Sequence, residues 1–516
     1  MTRMHGGGAR VAAWRVVALV VGGMPSWLAS ASAEPKGQLV AALDSDRENL
    51  DPHQAGGTID YMVLMHIFDH LIARNPESMK LVGGLAESWK SVDDLTWDFR
   101  IRKGVKFHNG ESVNAAAVKF SIERVLDPAQ KSYLRDRFKG ITQVQTLDEY
   151  GIRLKTDKPN PVLLERLTNL AIVPPAYVKE KGDAYIAKNP VGSGPYRFVE
   201  WARGQRLVLE AAPGYWGSAP AVKTLVFRPI TDGSTAIAEM LAGTVDFIRL
   251  VPPDQISVIE ASGKAYITTA PIIRVVYVSF DVIGRAGPTP VQNIQVREAI
   301  SHAIDVDGII THVLGGRGLK LGTIVNPMKF GYDPSIKPVP YDPGRAKQLL
   351  AEAGYPNGMA LNFMTYSGSI IASRQVGDAV TGYLGKVGIQ TNRQHIEDIG
   401  LSTNLERTGK LKDIYLGSWG SWSVFDADMI LYPRFHSTEA FAYVRDPKLD
   451  QWLDIGRNTV NPGKRMEVYS EVQRYIADNY LIFPMYAQTS VMAVSNRLNY
   501  KAASDETIAL WRATWR

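Results

Sequence analysis

The run from Leu85 to Val125, LAESWKSVDDLTWDFRIRKGVKFHNGESVNAAAVKFSIERV, constrains the fold more than any other stretch. Thr96 to Ile101 alternates bulky and polar side chains, the pattern of a half-buried strand. Gly104 interrupts it, and Asn109-Gly110 supplies the positive φ that a tight turn needs. Asn114 stands where an N-cap belongs, ahead of a helix predicted over Ala115–Leu126 that Asp127-Pro128 stops. Val118, Ile122, Val125 and Leu126 fall on one face of that helix.

The same alternation of strand and helix patterns runs through the rest of the chain. Gln38 to Leu43 reads as a first strand, and Thr58 to Ile72 has helical spacing through Tyr61, Leu64, Met65 and Phe68. His66 and His70 sit four apart on it, a metal-ligand spacing with no third ligand beside it, so two ordinary partly buried histidines are expected. Ile141 to Leu154 reads as a hairpin, and Val162 to Leu170 as a short helix. In Val191 to Phe198, two glycines and a proline fit a tight chain reversal. No Lys-Ser/Thr follows them, which excludes a phosphate loop. Arg274 to Phe280 is a strand, with a domain crossing expected just before it. A helix over Val296 to Ile304 is followed by Asp305, a cap for the next one. Asp342 and Pro343 open a helix that Gly354 ends. Strands at Leu361–Thr365, after Gly388 and at Ile414–Ser418 alternate with helices at Ile371–Val387 and Met466–Asn479. Leu481 to Tyr486 and Val491 to Val494 return as strands. This pattern predicts α/β packing, and 516 residues predict two or three domains.

The first 33 residues read as a secretory signal. Arg3, Arg10 and Arg15 precede an apolar run that Gly22-Gly23 and Pro25 interrupt, and Ala31-Ser32-Ala33 is a small-residue cleavage site before Glu34. A membrane span needs ~20 apolar residues, and this run breaks short of that. The formal charge is +6, and the three leader arginines account for half of it. So mild a balance gives no footprint for nucleic acid. Cysteine is absent, which excludes disulfides, thiolate metal sites, a cysteine nucleophile and a lipid-modified N-terminal cysteine.

Leu85-Ala86-Glu87-Ser88-Trp89, the Asp93-Asp94 turn and Phe99 to Gly110 closely resemble the signature of family 5 of the bacterial extracellular solute-binding proteins. Leu50-Asp51-Pro52, Gly192-Ser193-Gly194-Pro195-Tyr196, Tyr215-Trp216-Gly217, Ala242 to Asp246 and Val296 to Ile304 continue the resemblance, which covers nearly all of Gln38 to Asn499. It implies an α/β fold like that of type II periplasmic binding proteins, with two main lobes closing on a hinge and an inserted third lobe. Lobe I would comprise residues 34–75, 194–273 and 487–516, lobe II residues 76–193 and lobe III residues 274–486. The resemblance further implies a monomeric, cofactor-free periplasmic receptor without a lipid anchor, capturing a peptide or peptide-like small polar solute for an inner-membrane ABC permease. Trp89, Trp97 and Phe107 are expected in the core.

No nucleophile elbow, His-Glu-x-x-His or Walker loop occurs, and the nine histidines are scattered. A periplasmic hydrolase is therefore the weaker alternative to a receptor. The binding candidate is Gly417 to Asp428, where three aromatic and three hydroxyl side chains crowd together past a strand end. The resemblance identifies Trp419 with the family's pocket-lining tryptophan and Asp426-Ala427-Asp428 with its Asp-Pro-Asp. Trp422, Ser423 and Phe425 lie between them. Arg274 and Arg374 are candidates for a ligand carboxylate, with Tyr277, Tyr486 and Gln488 as further candidates for the cleft.

The chain departs from peptide-binding relatives at one point. Those proteins place an aspartate a few residues after the Gly-Trp, to pair with the peptide's α-ammonium group. Here no acid occurs between Asp413 and Asp426, and Ser423 or Trp422 takes the position. Weak binding of free-amine dipeptides is expected, with a ligand lacking a free amine or a sugar-like polar metabolite as the alternative, unless a carboxylate such as Asp426 or Asp46 takes over the role.

Overall fold

Two long strands tie the molecule together. In the computed structural model, which describes residues 34–47, 49–420 and 424–516, strands Ala265–Phe280 and Ile482–Ser495 pair antiparallel from Ala265 with Ser495 to Ser279 with Ile482. The expected leader, residues 1–33, lies outside the described residues, as do Ser421, Trp422 and Ser423. The separate strands read from sequence at 481–486 and 491–494 are one continuous strand, and the one read from Arg274 begins nine residues earlier, at Ala265. Just before Arg274 the pairing shifts register, between Pro271 and Val275. Pro271 has no N–H to give the ladder, so the pairing lapses there and resumes beyond.

Both strands belong to one eleven-stranded sheet. On one side of the break it continues through Phe247–Ile248, Lys36–Leu43, Val222–Pro229, Arg206–Ala211 and Tyr196–Ala202. On the other it continues through Ile414–Trp419, Met359–Tyr366 and Ile389–Ile396, the last two pairs parallel. Strand Lys36–Leu43 is also parallel to its neighbour Val222–Pro229.

A separate four-stranded sheet has the order Ala86–Asp93, Thr96–Ile101, Gly151–Thr156, Ile141–Thr146. Helix Ala115–Leu126 covers it, with Asn114 accepting from the Ala117 N–H at 3.1 Å. Phe99, Phe107, Val118, Ile122, Val125 and Leu154 are buried between them, while Trp89 and Trp97 pack half-buried at the edge. Gly104 and Gly110 take φ values of +78° and +91°, as their turns require.

The helix expected over Thr58 to Ile72 stops at Leu64. The reason is tertiary. The carbonyls of His66 and Ile67 accept from the Tyr196 and Gly194 N–H groups, each at 2.9 Å, instead of continuing a helix. Gly192 and Gly194 are needed for this close approach, because a Cβ on either would meet Ile67 backbone atoms within 2.7 Å or less. Buried His66 accepts from the Leu510 N–H through Nε2 at 3.1 Å and has Nδ1 3.2 Å from the Val63 carbonyl. Burial pushes its pKa down to about 4.

Buried apolar side chains gather in separate cores. One joins residues 39–247 to 492–513, one spans 71–172, and two cover 275–487.

Candidate functional site

Strand Ile414–Trp419 runs antiparallel to Ala265–Phe280 and parallel to Met359–Tyr366, so its end is fixed at the register break. Two glycines let the chain lie close there. A Cβ on Gly417 would sit 2.3 Å from the Tyr277 ring, and one on Gly420 would sit 2.5 Å from Arg274 Nη2 and 3.0 Å from Glu506 Oε2. The Gly420 backbone therefore rests on the Arg274–Glu506 ion pair, 2.9 Å between charged atoms. Arg274 also donates to Ser418 Oγ at 3.2 Å, and Ser418 Oγ meets the Tyr366 hydroxyl at 2.9 Å.

Trp419 is half-buried, its indole N–H donating to the Met429 carbonyl at 2.6 Å and its ring edge-on to Phe441. Past residues 421–423 the chain is anchored again. The Phe425 N–H donates to Glu165 Oε2 at 3.0 Å, and the Arg74 guanidinium lies 4.4 Å from the Phe425 ring centre. Asp426 is buried and accepts two hydrogen bonds from Arg465, at 2.9 and 3.0 Å. Asp428 accepts two from Arg457, at 2.8 and 3.0 Å, and one from Arg166 at 3.2 Å. The two carboxylates differ in balance. Burial pushes the Asp426 carboxyl up against the pull of Arg465. For Asp428, burial is outweighed by Arg457 and Arg166, which hold it below the usual range.

Thus Arg274, Trp419, Phe425 and Asp426 are brought into one neighbourhood. Tyr277 is buried beneath it, with the Arg434 guanidinium 5.0 Å from its ring. Tyr486 is fully buried in the core of residues 276–486. Gln488 accepts from the Ile371 N–H and donates to the Ser369 carbonyl. Arg374 is exposed and paired with Glu397. Asp46, the other fallback carboxylate, accepts from the backbone of Arg47 and of Gly204 and pairs with the Arg47 side chain.

Charged residues at this place that the sequence does not single out include Arg74, Glu165, Arg166, Lys329 and Glu506, besides Arg434, Arg457 and Arg465. Arg74 pairs with Glu165 across 91 positions of chain, and Glu165 reaches Phe425 across 260. No local pattern announces contacts at such separations. Lys329 is buried, with its ammonium 3.5 Å from the Val424 carbonyl. Burial lowers its pKa to about 7, and Asp426, Glu506 and Glu165 act against that fall. A largely apolar concavity is lined by Leu64, Met65, Phe68 and Tyr133 together with Arg137 and Asn169. Arg166 connects it to this group, donating to the Arg137 carbonyl at 3.2 Å. The arrangement offers fixed charges of both signs, an aromatic face and an apolar recess, the components of a small-molecule site.

Among the described residues, no helix is long and apolar enough to cross a membrane, and no group of three or more candidate ligands could hold a metal ion. Residues 80–442 match the family model described as bacterial extracellular solute-binding proteins, family 5 Middle. The chain is 28% identical over 492 residues to the glutathione-binding protein GsiB of Escherichia coli, covering 93% of this chain and 94% of that protein. GsiB of Pectobacterium atrosepticum is 28% identical over 504 residues, covering 94% of each. The fold is similar to that of a dipeptide-binding protein from a Pseudoalteromonas species in complex with Met-Leu, with TM-score 0.82, 22% identity and coverage of 93% and 100%. It is also similar to AgaA of A. tumefaciens in complex with agropinic acid, with TM-score 0.78, 24% identity and coverage of 93% and 99%. The family and these relatives are binding proteins. The chain belongs to the bacterial extracellular solute-binding proteins of family 5, and is a solute-binding protein of the ABC-importer type.

Proposed function

We propose that this protein captures a small, polar, peptide-like solute in the periplasm and hands it unchanged to an inner-membrane ABC permease. The observation that carries the reading is the junction at Phe425 and Asp428. There Glu165 and Arg166, on the helix Leu163–Leu167 whose leucines enter the 71–172 core, hold Phe425 and Asp428, which flank Ala427 of a 275–487 core. Contacts of this kind can form and break as lobes close and open. The lobes are 34–75 with 194–273 and 487–516, then 76–193, then 274–486. The register break at Pro271–Val275 is the natural hinge between the first and the third.

The GsiB relatives are named for glutathione, a peptide-like solute, and this supports the ligand class. Mass spectrometry of solute released from the purified, denatured protein identifies the ligand directly. Small-angle scattering should show compaction when that solute, or glutathione, is added. Appearance of a cleaved product on incubation with peptides would replace this reading with a periplasmic hydrolase. Export is part of the proposal: the mature protein begins at Glu34, carries no lipid and is monomeric. Intact-mass measurement on the periplasmic fraction tests this, and retention of residues 1–33 would contradict it.

A further inference from the structure

The segment from Trp419 to Asp428 leaves a solute's amine without a carboxylate. Asp426 and Asp428 are each held by at least one bidentate arginine, and Asp46 is held by two backbone N–H groups and Arg47. Glu506 differs from these three. Glu506 gives Oε2 to Arg274 at 2.9 Å, while Oε1 is buried with no hydrogen-bond partner. A buried carboxylate oxygen without a donor calls for an explanation. The backbone of Glu506 is also strained, with φ of +65°, a left-handed conformation costly for a residue with a side chain. Neighbouring anchors impose it. Thr507, Ile508 and Leu510 are buried, the Thr507 N–H and hydroxyl both donate to Asp505, and the Leu510 N–H donates to His66. The strain thus holds a carboxylate against Gly420, directly before residues 421–423. Arg274 fixes its rotation from the register break between the long strands.

We infer that Glu506 Oε1 receives a cationic ammonium group of the solute, replacing the carboxylate that the Trp419–Asp428 segment lacks. Arg274 acts as a positioning residue, occupying Oε2 and leaving Oε1 directed at the solute. The recognition comes from the C-terminal segment, nearly ninety positions beyond the tryptophan, and it makes the solute an amine rather than a neutral or N-blocked compound. This inference rests on the solute-binding reading above.

The test compares glutathione and a free-amine dipeptide with their N-acetylated counterparts, by titration calorimetry on the full mature chain. Acetylation should weaken binding about tenfold or more, the loss of one charge-assisted contact. Glu506→Gln and Glu506→Gly should bring the ratio of free to acetylated affinity to within about twofold. Glycine accepts a φ of +65° without strain, so Glu506→Gly keeps the backbone while removing the carboxylate. A merely structural role for Glu506 would lower the melting temperature and leave the ratio intact, which would overturn the inference. So would a wild-type protein indifferent to acetylation, or a co-purified solute with no cationic group, and both would leave solute binding standing. A protein that carries no solute and compacts with none of these probes would overturn the solute-binding reading itself.

Discussion

Replacing Arg465 by methionine should expose how strongly the binding segment depends on one buried ion pair. The side chains of Arg465 and Asp426 are each 5% exposed, and two hydrogen bonds of 2.9 and 3.0 Å join them. Arg465→Met keeps much of the apolar stem but removes both arginine donors from Asp426, which retains the Asp428 N–H. An uncompensated buried carboxylate costs about 3–5 kcal/mol. Loss of the bond to the Gly456 carbonyl, 2.9 Å in the wild type, adds about 1 kcal/mol. The double variant Asp426→Asn/Arg465→Met removes the stranded charge and should recover about 2 kcal/mol or more. The pH dependence has a definite sign. Burial already raises the Asp426 carboxyl, and without Arg465 it rises further. A carboxyl raised above its unfolded value contributes stability at low pH that is lost as pH rises through the folded value. The deficit of Arg465→Met should therefore be largest near neutrality and shrink towards pH 5. Urea unfolding followed by tryptophan fluorescence, at both pH values, measures it. A deficit below about 1.5 kcal/mol, or one equal at the two pH values, would refute the reasoning.

Two other expectations are accessible to the same protein. Arg166→Met removes one charge-assisted hydrogen bond to Asp428, which keeps Arg457, so about 1.5 kcal/mol or roughly tenfold in affinity for the co-purified solute should be lost. Stopped-flow dissociation should account for most of that loss, and an unchanged dissociation rate would argue against a closure contact. Asp69 accepts from Ser193, Tyr215 and Trp216, and burial raises its carboxyl to about 6, so its stabilising contribution is present below pH 3.8 and fades as pH rises through 6. Asp69→Asn should gain about 1–2 kcal/mol relative to wild type between pH 4 and pH 7, the full shift being discounted for partial exposure. His53, His66 and His70, held neutral down to about 4, impose the opposite slope on both proteins, so only the difference between the two curves is diagnostic.

What the sequence could and could not disclose follows from where each contact partner lies. The strand, turn and helix over residues 96–126 were legible because their determinants are neighbours: Asn114 caps a helix three residues away, and Gly110 sits in its own turn. Helical spacing over 58–72 misled because the carbonyls of His66 and Ile67 bond a segment nearly 130 positions away. The site divides in the same manner. Trp419, Phe425 and Asp426 stood out as one cluster of suitable types, but residue type does not reveal whether a charge is already spent. Asp426 reads in sequence as available to an amine, yet Arg465, 39 positions on, holds it. Glu506 drew no attention, because its fitness comes from a strained φ, a buried oxygen and an arginine 232 positions earlier. In a site so densely paired, a carboxylate's capacity to bind solute depends on which of its oxygens the protein has left unoccupied. That quantity exists only once the chain has folded, and among the carboxylates of this site it separates Glu506 from Asp426 and Asp428.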